Sequence, residues 1–489
     1  MPSILQQASI RHVGLLAISV LLGSLFTVFF YDTLPGLSFP IFVLCTLGGF
    51  LFLAFLFEKK LPTVTLALMA PMVFCSAMVF VRANPFLLVL NVGTTIFLFF
   101  LVLRMMKVPL RAFTIAEYFW TISMLPFYCI GSGGRVLPRM LSFSGMREHR
   151  STTHIIRGIL LTIPILFVFL VLLASADLVF QQYVLSLFDW DVNPMLLTRA
   201  MLVAVVSFLS LGAFSLTFMG EQKSAASGLP SKEFGIIEAT VLLGAINVLF
   251  FLFLLVQVRY LFAGESAIQQ FDFTYAEYAR QGFFQLLAVS VLSFLLTLSV
   301  ERWIARKEGS HYKRFTVFST LLIAQALILL GSAYMRLSLY EQAYGFTMMR
   351  LLSHTFMLWL AVLFLWLLYH VYRRIREGDF LLGVLLSGLL TLSVLNALNP
   401  EAYIVGMNLE LAAVNGKLDT EYFWSLSEDA VPRMAGALQL PDPVIRDEIR
   451  KLLVSWETRI VSSDTDWRSL TLSRMRAKTF LENLDLGSR

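Results

Sequence analysis

Residues 352–374 read LSHTFMLWLAVLFLWLLYHVYRR, and this stretch decides the fold. From Leu352 to Tyr372 it carries no acidic residue, Lys or Arg. That is about 20 residues, the length a helix needs to cross the hydrocarbon core of a bilayer. Arg373, Arg374 and Arg376 end the run, and after Glu377 and Asp379 a second run extends from Phe380 to Leu398. Two apolar runs flanking a basic connection read as a pair of membrane helices.

Working outward, the same pattern recurs at 13–31, 39–57, 63–81, 86–103, 155–175, 199–219, 240–262, 284–300 and 315–334. The predicted fold class is therefore all-α: a polytopic transmembrane helix bundle of about eleven spans. A twelfth is added if Phe113–Ile130 crosses; that stretch carries Glu117 early and Pro126 late. Composition agrees. The chain is 58% hydrophobic and only 14% charged, with a mean hydropathy of +0.76, whereas soluble domains use about 25% charged residues. This excludes a soluble enzyme with one large core. The first apolar run is too long for a signal peptide's core and lacks a small-residue cleavage site, so a retained helix is expected.

The placement of Lys and Arg predicts orientation. Arg11, Lys59 and Lys60, Lys223 and Lys232, the cluster Arg302–Arg314, and Arg373–Arg376 fall in alternate connections. The intervening connections are poor in base and hold Asp32, Asp177, Asp189, Asp191, Glu265, Asp272 and Glu277. That is a positive-inside pattern with the N-terminus cytoplasmic. Phe113–Ile130 has basic residues on both sides, so it reads as an interfacial or re-entrant element. Eleven crossings turn the C-terminus outward, in the plasma membrane. Four sections follow: an N-terminal membrane segment (1–104), a basic connection (105–154), a seven-helix membrane domain (155–398), and an extracytoplasmic helical domain (399–489). In the last section 11 Lys and Arg face 14 Asp and Glu, an ordinary soluble balance. Val444, Ile445, Ile449, Leu452, Trp456 and Ile460 recur there at helical spacing, as do Trp467, Leu470, Phe480 and Leu484 more loosely. The tail reads as a small bundle of short helices, marginal alone and expected to dock on the membrane part.

Few familiar chemistries fit. The net charge of +6 is spread between apolar runs and gives no nucleic-acid footprint. Cys45, Cys75 and Cys129 offer neither a disulfide framework nor metal-ligand spacing. No metal and no cofactor is expected. Gly131-Ser-Gly-Gly134 lacks the Lys-Ser/Thr of a phosphate loop and reads as a flexible turn. His149 and His154 have no second ligand set, and His354 and His370 read as helix-packing or interfacial residues. Mid-span polar groups such as Asn247, Gln257 and Gln325 suit hydrogen bonding between helices. No carboxylate sits near the middle of a span, which weakens an ion-coupled transporter.

Three polar, aromatic-rich stretches remain: Tyr275–Gln285, Arg336–Thr347 and Asn399–Asn408. All three fall on the predicted outer face. The candidate cluster is Glu277, Arg280, Gln281, Gln285, Arg336, Tyr340, Glu341, Tyr344, Asn399 and Asn408. It would be either a pocket for a polar head group, sugar or peptide, or a belt that anchors helix ends.

These stretches carry a resemblance. Tyr-Ala-Glu-Tyr-Ala-Arg-Gln-Gly-Phe-Phe-Gln (275–285), Arg-Leu-Ser-Leu-Tyr-Glu-Gln-Ala-Tyr-Gly-Phe-Thr (336–347) and Asn399-Pro-Glu-Ala-Tyr-Ile are similar to motifs of bacterial membrane proteins grouped as domain of unknown function 4173, related to group 4153. Gly416-Lys-Leu-Asp-Thr-Glu-Tyr, Leu426-Ser-Glu-Asp-Ala-Val-Pro432 and Asp466-Trp-Arg-Ser-Leu-Thr-Leu-Ser-Arg474 complete it. Val405 and Gly406 stand where the family usually has Ala-Arg. The resemblance implies the membrane class and supplies no reaction. The reading it leaves is a non-enzymatic scaffold or sensor. Its expected partners are the lipid bilayer and an extracytoplasmic protein or lipid-linked ligand, with no nucleic acid. The alternatives are a membrane transferase using outer carboxylates (Asp32, Glu277, Glu341) on a lipid-linked substrate, and a transporter or flippase.

Overall fold

A computed structural model describes residues 4–109, 127–137, 194–219, 236–261, 283–304, 310–461 and 466–484. Among these residues all regular structure is helical. The long helices are α1 (Ile4–Phe30), α2 (Ser38–Leu56), α3 (Thr63–Val81), α4 (Pro85–Met105), α6 (Pro194–Phe218), α7 (Ile236–Leu261), α8 (Phe283–Ile304), α9 (Ser310–Tyr344), α10 (Met348–Arg373) and α11 (Glu377–Leu398), with α5 a shorter helix over 127–137. The tail adds α12 (Pro400–Asn415), α13 (Thr420–Trp424), α14 (Val431–Met434), α15 (Pro443–Val461) and α16 (Leu472–Glu482). Ten helices among the described residues, all the long ones, are apolar enough to cross a membrane. Each coincides with a run read from the sequence. The run at 155–175 and most of Phe113–Ile130 lie outside the described residues. The spans turn large apolar side chains outward, among them Phe55, Val89, Leu249, Leu365 and Leu390. In water such a surface would aggregate; against lipid it is at no disadvantage.

The chain divides into two compact units. The first comprises residues 1–223 with 464–475. Here α1 and α6 cross at Gly23, where a Cβ would lie 2.1 Å from Ser207 Oγ and 2.6 Å from the Val203 carbonyl oxygen. Only hydrogen fits, the small-residue contact common between membrane helices. Gly131–Gly134 corrects the expectation of a flexible turn: the segment is helical, inside α5. Its small side chains permit close packing instead. Ser132 and Ser215 hydroxyls meet at 2.7 Å, and a Cβ on Gly212 would fall 1.9 Å from the Cys129 carbonyl oxygen.

Residues 466–475 pack onto the helix ends of this unit. The Arg468 guanidinium donates to the carbonyls of Val28 and Tyr31, the Ser38 hydroxyl to the Arg468 carbonyl, and the Ser473 hydroxyl to the Val81 carbonyl. Trp467 does not join a tail core, as its spacing with Leu470 and Phe480 suggested. It stands edge-on to Phe29 of α1 with ring centroids 5.9 Å apart. Asp466 accepts from the Arg468 backbone and side chain, and those hydrogen bonds hold its carboxyl below the usual range.

The second unit comprises residues 224–463 with 476–489. Phe364, Leu367, Phe315, Leu322 and Ile323 form the middle of its membrane core. The mid-span amides bond between helices as expected: the Asn247 amide donates to the Phe318 carbonyl and the Gln325 amide to the Asn247 carbonyl. Beyond the spans, α15 buries Ile445, Ile449, Leu452, Trp456 and Ile460 against Phe423, Val431 and Met434. Val444 departs from that face and is exposed. Its backbone N–H is taken by the Asp442 carboxylate, which turns the first residues of α15 to water.

Candidate functional site

The apolar run of α9 ends near residue 334, yet the helix continues to Tyr344. The extension holds because its polar side chains find partners at the turn into α10. Gly345 adopts φ +79°, and the Gly345 N–H bonds to the Glu341 carbonyl, a left-handed helix stop. A Cβ on Gly345 would lie 2.8 Å from Asn408 Oδ1, so glycine is required twice over.

Asn408 lies on α12, the first tail helix. Its Oδ1 accepts the Phe346 N–H at 2.6 Å and its Nδ2 donates to the Phe346 carbonyl at 2.8 Å. One buried carboxamide thus satisfies both backbone groups of a single turn residue. Two residues on, the Met348 N–H donates to the Tyr422 hydroxyl at 2.7 Å. Burial pushes the Tyr422 phenol above its usual range. Arg350 completes the turn: its guanidinium lies 4.4 Å from the Tyr340 ring centre and donates to the Tyr344 and Gly345 carbonyls.

Behind this turn sits an ionisable pair. Glu341 Oε2 and His354 Nε2 are 2.9 Å apart, with the residues 4% and 8% exposed. His354 also lies edge-on to Tyr334, ring centroids 4.3 Å apart. Glu341 Oε1 and His354 Nδ1 are buried with no hydrogen-bond partner. The pair can therefore take one more hydrogen-bond partner without giving up its existing bond. A similar pair occupies the other end of α10, where Glu301 Oε2 and His370 Nε2 are 3.3 Å apart. Sequence reading treated both histidines as packing or interfacial residues. Glu341 and His354 flank a helical turn, which is the signal that could have matched them; Glu301 and His370 are on helices distant in sequence and leave none.

The proposed cluster residues fall as follows. Glu341 and Asn408 are buried within the knot, and the Tyr340 and Tyr344 rings meet at its rim, tilted by 43° with centroids 4.8 Å apart. Arg336 is half-buried one turn earlier on α9, and Gln285 is exposed near the start of α8. Asn399 works as a cap: in a left-handed conformation, it accepts the Ala402 N–H and donates to the Asp429 carbonyl. Glu277, Arg280 and Gln281 lie outside the described residues. Among the described residues no cluster of His, Cys, Asp and Glu could hold a metal ion.

The other quoted motifs are joints too. Glu401 accepts from the Ser427 N–H and hydroxyl, Gly416 ends α12 at φ +68°, and Asp419 caps α13 through the Tyr422 N–H. Gly406 packs on Arg433, whose guanidinium nitrogens lie 3.3 and 3.4 Å from where a Cβ would stand.

A family model described as a domain of unknown function, DUF4153, matches residues 68–437. The match is to the 4153 group, which the sequence motifs gave as the related one. No curated protein and no solved structure matches the chain.

Proposed function

We propose, for a chain that belongs to the DUF4153 family, a non-enzymatic role in the cell membrane, as a sensor or scaffold that works at its α9–α10 end. The observation that carries this reading is the Asn408–Phe346 clasp. A tail side chain holds the backbone of a turn between two membrane helices, so displacement of the tail moves the helix ends. Glu341 is buried against His354 rather than presented to a substrate, which argues against a transferase built on that carboxylate. We place this end outside. Lys313, Arg314, Arg373, Arg374 and Arg376 gather at the opposite ends of α9, α10 and α11, as the positive-inside rule expects of the cytoplasmic side. Partners are then an extracytoplasmic protein or a lipid-linked ligand.

A C-terminal alkaline-phosphatase fusion, active only outside the cytoplasm, tests orientation and role together in a deletion strain. The wild-type fusion is expected to be active. Glu277→Ala and Arg336→Ala are expected to lose complementation at unchanged membrane abundance. Abundance falling in step with function would make these residues part of the fold and sink the reading.

One observation favours a second reading, a proton- or cation-coupled transporter. The Glu341–His354 and Glu301–His370 pairs are separated by about 24 Å along α10, and between them Asn247 Oδ1 and Gln325 Oε1 are buried without hydrogen-bond donors. In pyranine-loaded proteoliposomes given an acid pulse, the scaffold reading expects the leak of empty vesicles. Faster acidification, abolished by His370→Leu, would hand the assignment to the transporter.

A further inference from the structure

The first unit carries a crevice that the reading above does not use. At Gly23 the helices α1 and α6 are in tight contact; from there toward Phe30 a crevice is walled by Ser24, Thr27 and Val28 on one side and Arg199 and Val203 on the other. The open cavity between them measures about 1000 Å³ and is bordered at its mouth by Asp466, Trp467 and Arg468.

Two cations line it, and among the described residues only one has a carboxylate partner. Arg468 donates its Nε and Nη2 to the Asp466 carboxylate and its Nη1 to the Val28 and Tyr31 carbonyls, so its charge is paired and four of its five N–H groups are engaged within the protein. Arg199 lies with its guanidinium 4.7 Å from the Tyr31 ring centre, and among the described residues it faces no carboxylate within ion-pair distance. Stacking on a ring leaves the N–H edge of a guanidinium available, and that planar edge matches two oxygens of a phosphate.

The depth of the crevice narrows the occupant. Thr27, Val28 and Val203 belong to segments apolar enough to cross a membrane, whereas Tyr31 and Trp467 (49% exposed) stand at the mouth. Tyr and Trp concentrate at the level of lipid head groups. A soluble anion could use Arg199 but not the Val28 and Val203 side chains. An amphiphile uses both.

We infer that this crevice binds an anionic membrane phospholipid, its phosphate on Arg199 and an acyl chain between Val28 and Val203. Bound there, the lipid bridges α1, α6 and the 466–468 turn within one unit. The inference does not depend on the function proposed for the α9–α10 turn.

The test uses delipidated full-length protein and native mass spectrometry, with phosphatidylglycerol or phosphatidylcholine added back. Wild type is expected to retain one phosphatidylglycerol about tenfold more tightly than phosphatidylcholine, a difference of about 1.4 kcal/mol. Arg199→Gln should erase that preference and Arg199→Lys should keep part of it. Val28→Trp, at an outward-facing position, should fill the crevice and weaken the first binding event for both lipids. Phosphatidylglycerol with brominated chains should quench wild-type fluorescence more than that of Trp467→Phe. Binding unchanged in Arg199→Gln and Val28→Trp, or no quenching assigned to Trp467, would overturn the site. Displacement of the first lipid by equimolar inorganic phosphate would assign it to a soluble anion and overturn the lipid.

Discussion

Glu341→Ala is expected to lower the stability of the second unit by about 3 kcal/mol, more than a hundredfold in the folded ratio. Among the described residues the carboxylate is the only hydrogen-bond partner of a His354 ring that is 8% exposed and already has an unpaired Nδ1. Removing it leaves both ring nitrogens buried without partners, and desolvation that the pair shared falls on one group. The companion experiment is the double variant Glu341→Leu with His354→Leu, which removes both polar groups and fills the space with hydrocarbon. It should recover most of the lost stability, because replacing a whole buried pair by apolar residues is often neutral. Denaturant titration in mixed micelles reads the difference. Equal, additive losses in the single and double variants would mean that the two side chains act independently, and the pair would lose its place at the centre of the site.

The pair also shows where sequence reading stops. The spans were legible because hydrocarbon imposes a length and a composition on every crossing, and α10 declares both in residues 352–372. The face of α15 was legible for a related reason: Ile449, Leu452, Trp456 and Ile460 repeat at the helical period. Pairing between helices has no such period. Glu301 belongs to α8 and His370 to α10, and nothing local to either residue announces the other. Glycines were ambiguous for a different reason. A Gly-Ser-Gly-Gly run suits either a turn or a close crossing, and only the neighbouring surface of α6 decides for helix. The quoted motifs identified places rather than roles. Asn399 stands in the candidate cluster and Gly416 and Asp419 in a quoted motif, yet all three are caps that let α12 and α13 start and stop. Short polar motifs that recur in order along a membrane protein can record joints as well as chemistry.

Asn408→Ala supplies the second large effect and bears directly on the proposed role. It strands the N–H and C=O of Phe346, both satisfied by one buried carboxamide, at about 1–3 kcal/mol for each unsatisfied group. The expected loss is therefore about 2–6 kcal/mol. Its location matters more than its size. Hydrogen exchange should rise at residues 345–348 and along the first turn of α12, while the α15 core, built on Ile449 and Leu453 away from the turn, keeps its protection. Asn408→Asp sharpens the case: it retains an acceptor for the Phe346 N–H but sets a carboxylate oxygen against the Phe346 carbonyl, where the amide donated. If the clasp transmits tail position to the helix ends, both variants should lose complementation together while remaining in the membrane. If exchange rises uniformly through the unit instead, the turn has no independence from the fold around it, and a sensor working through this joint is ruled out.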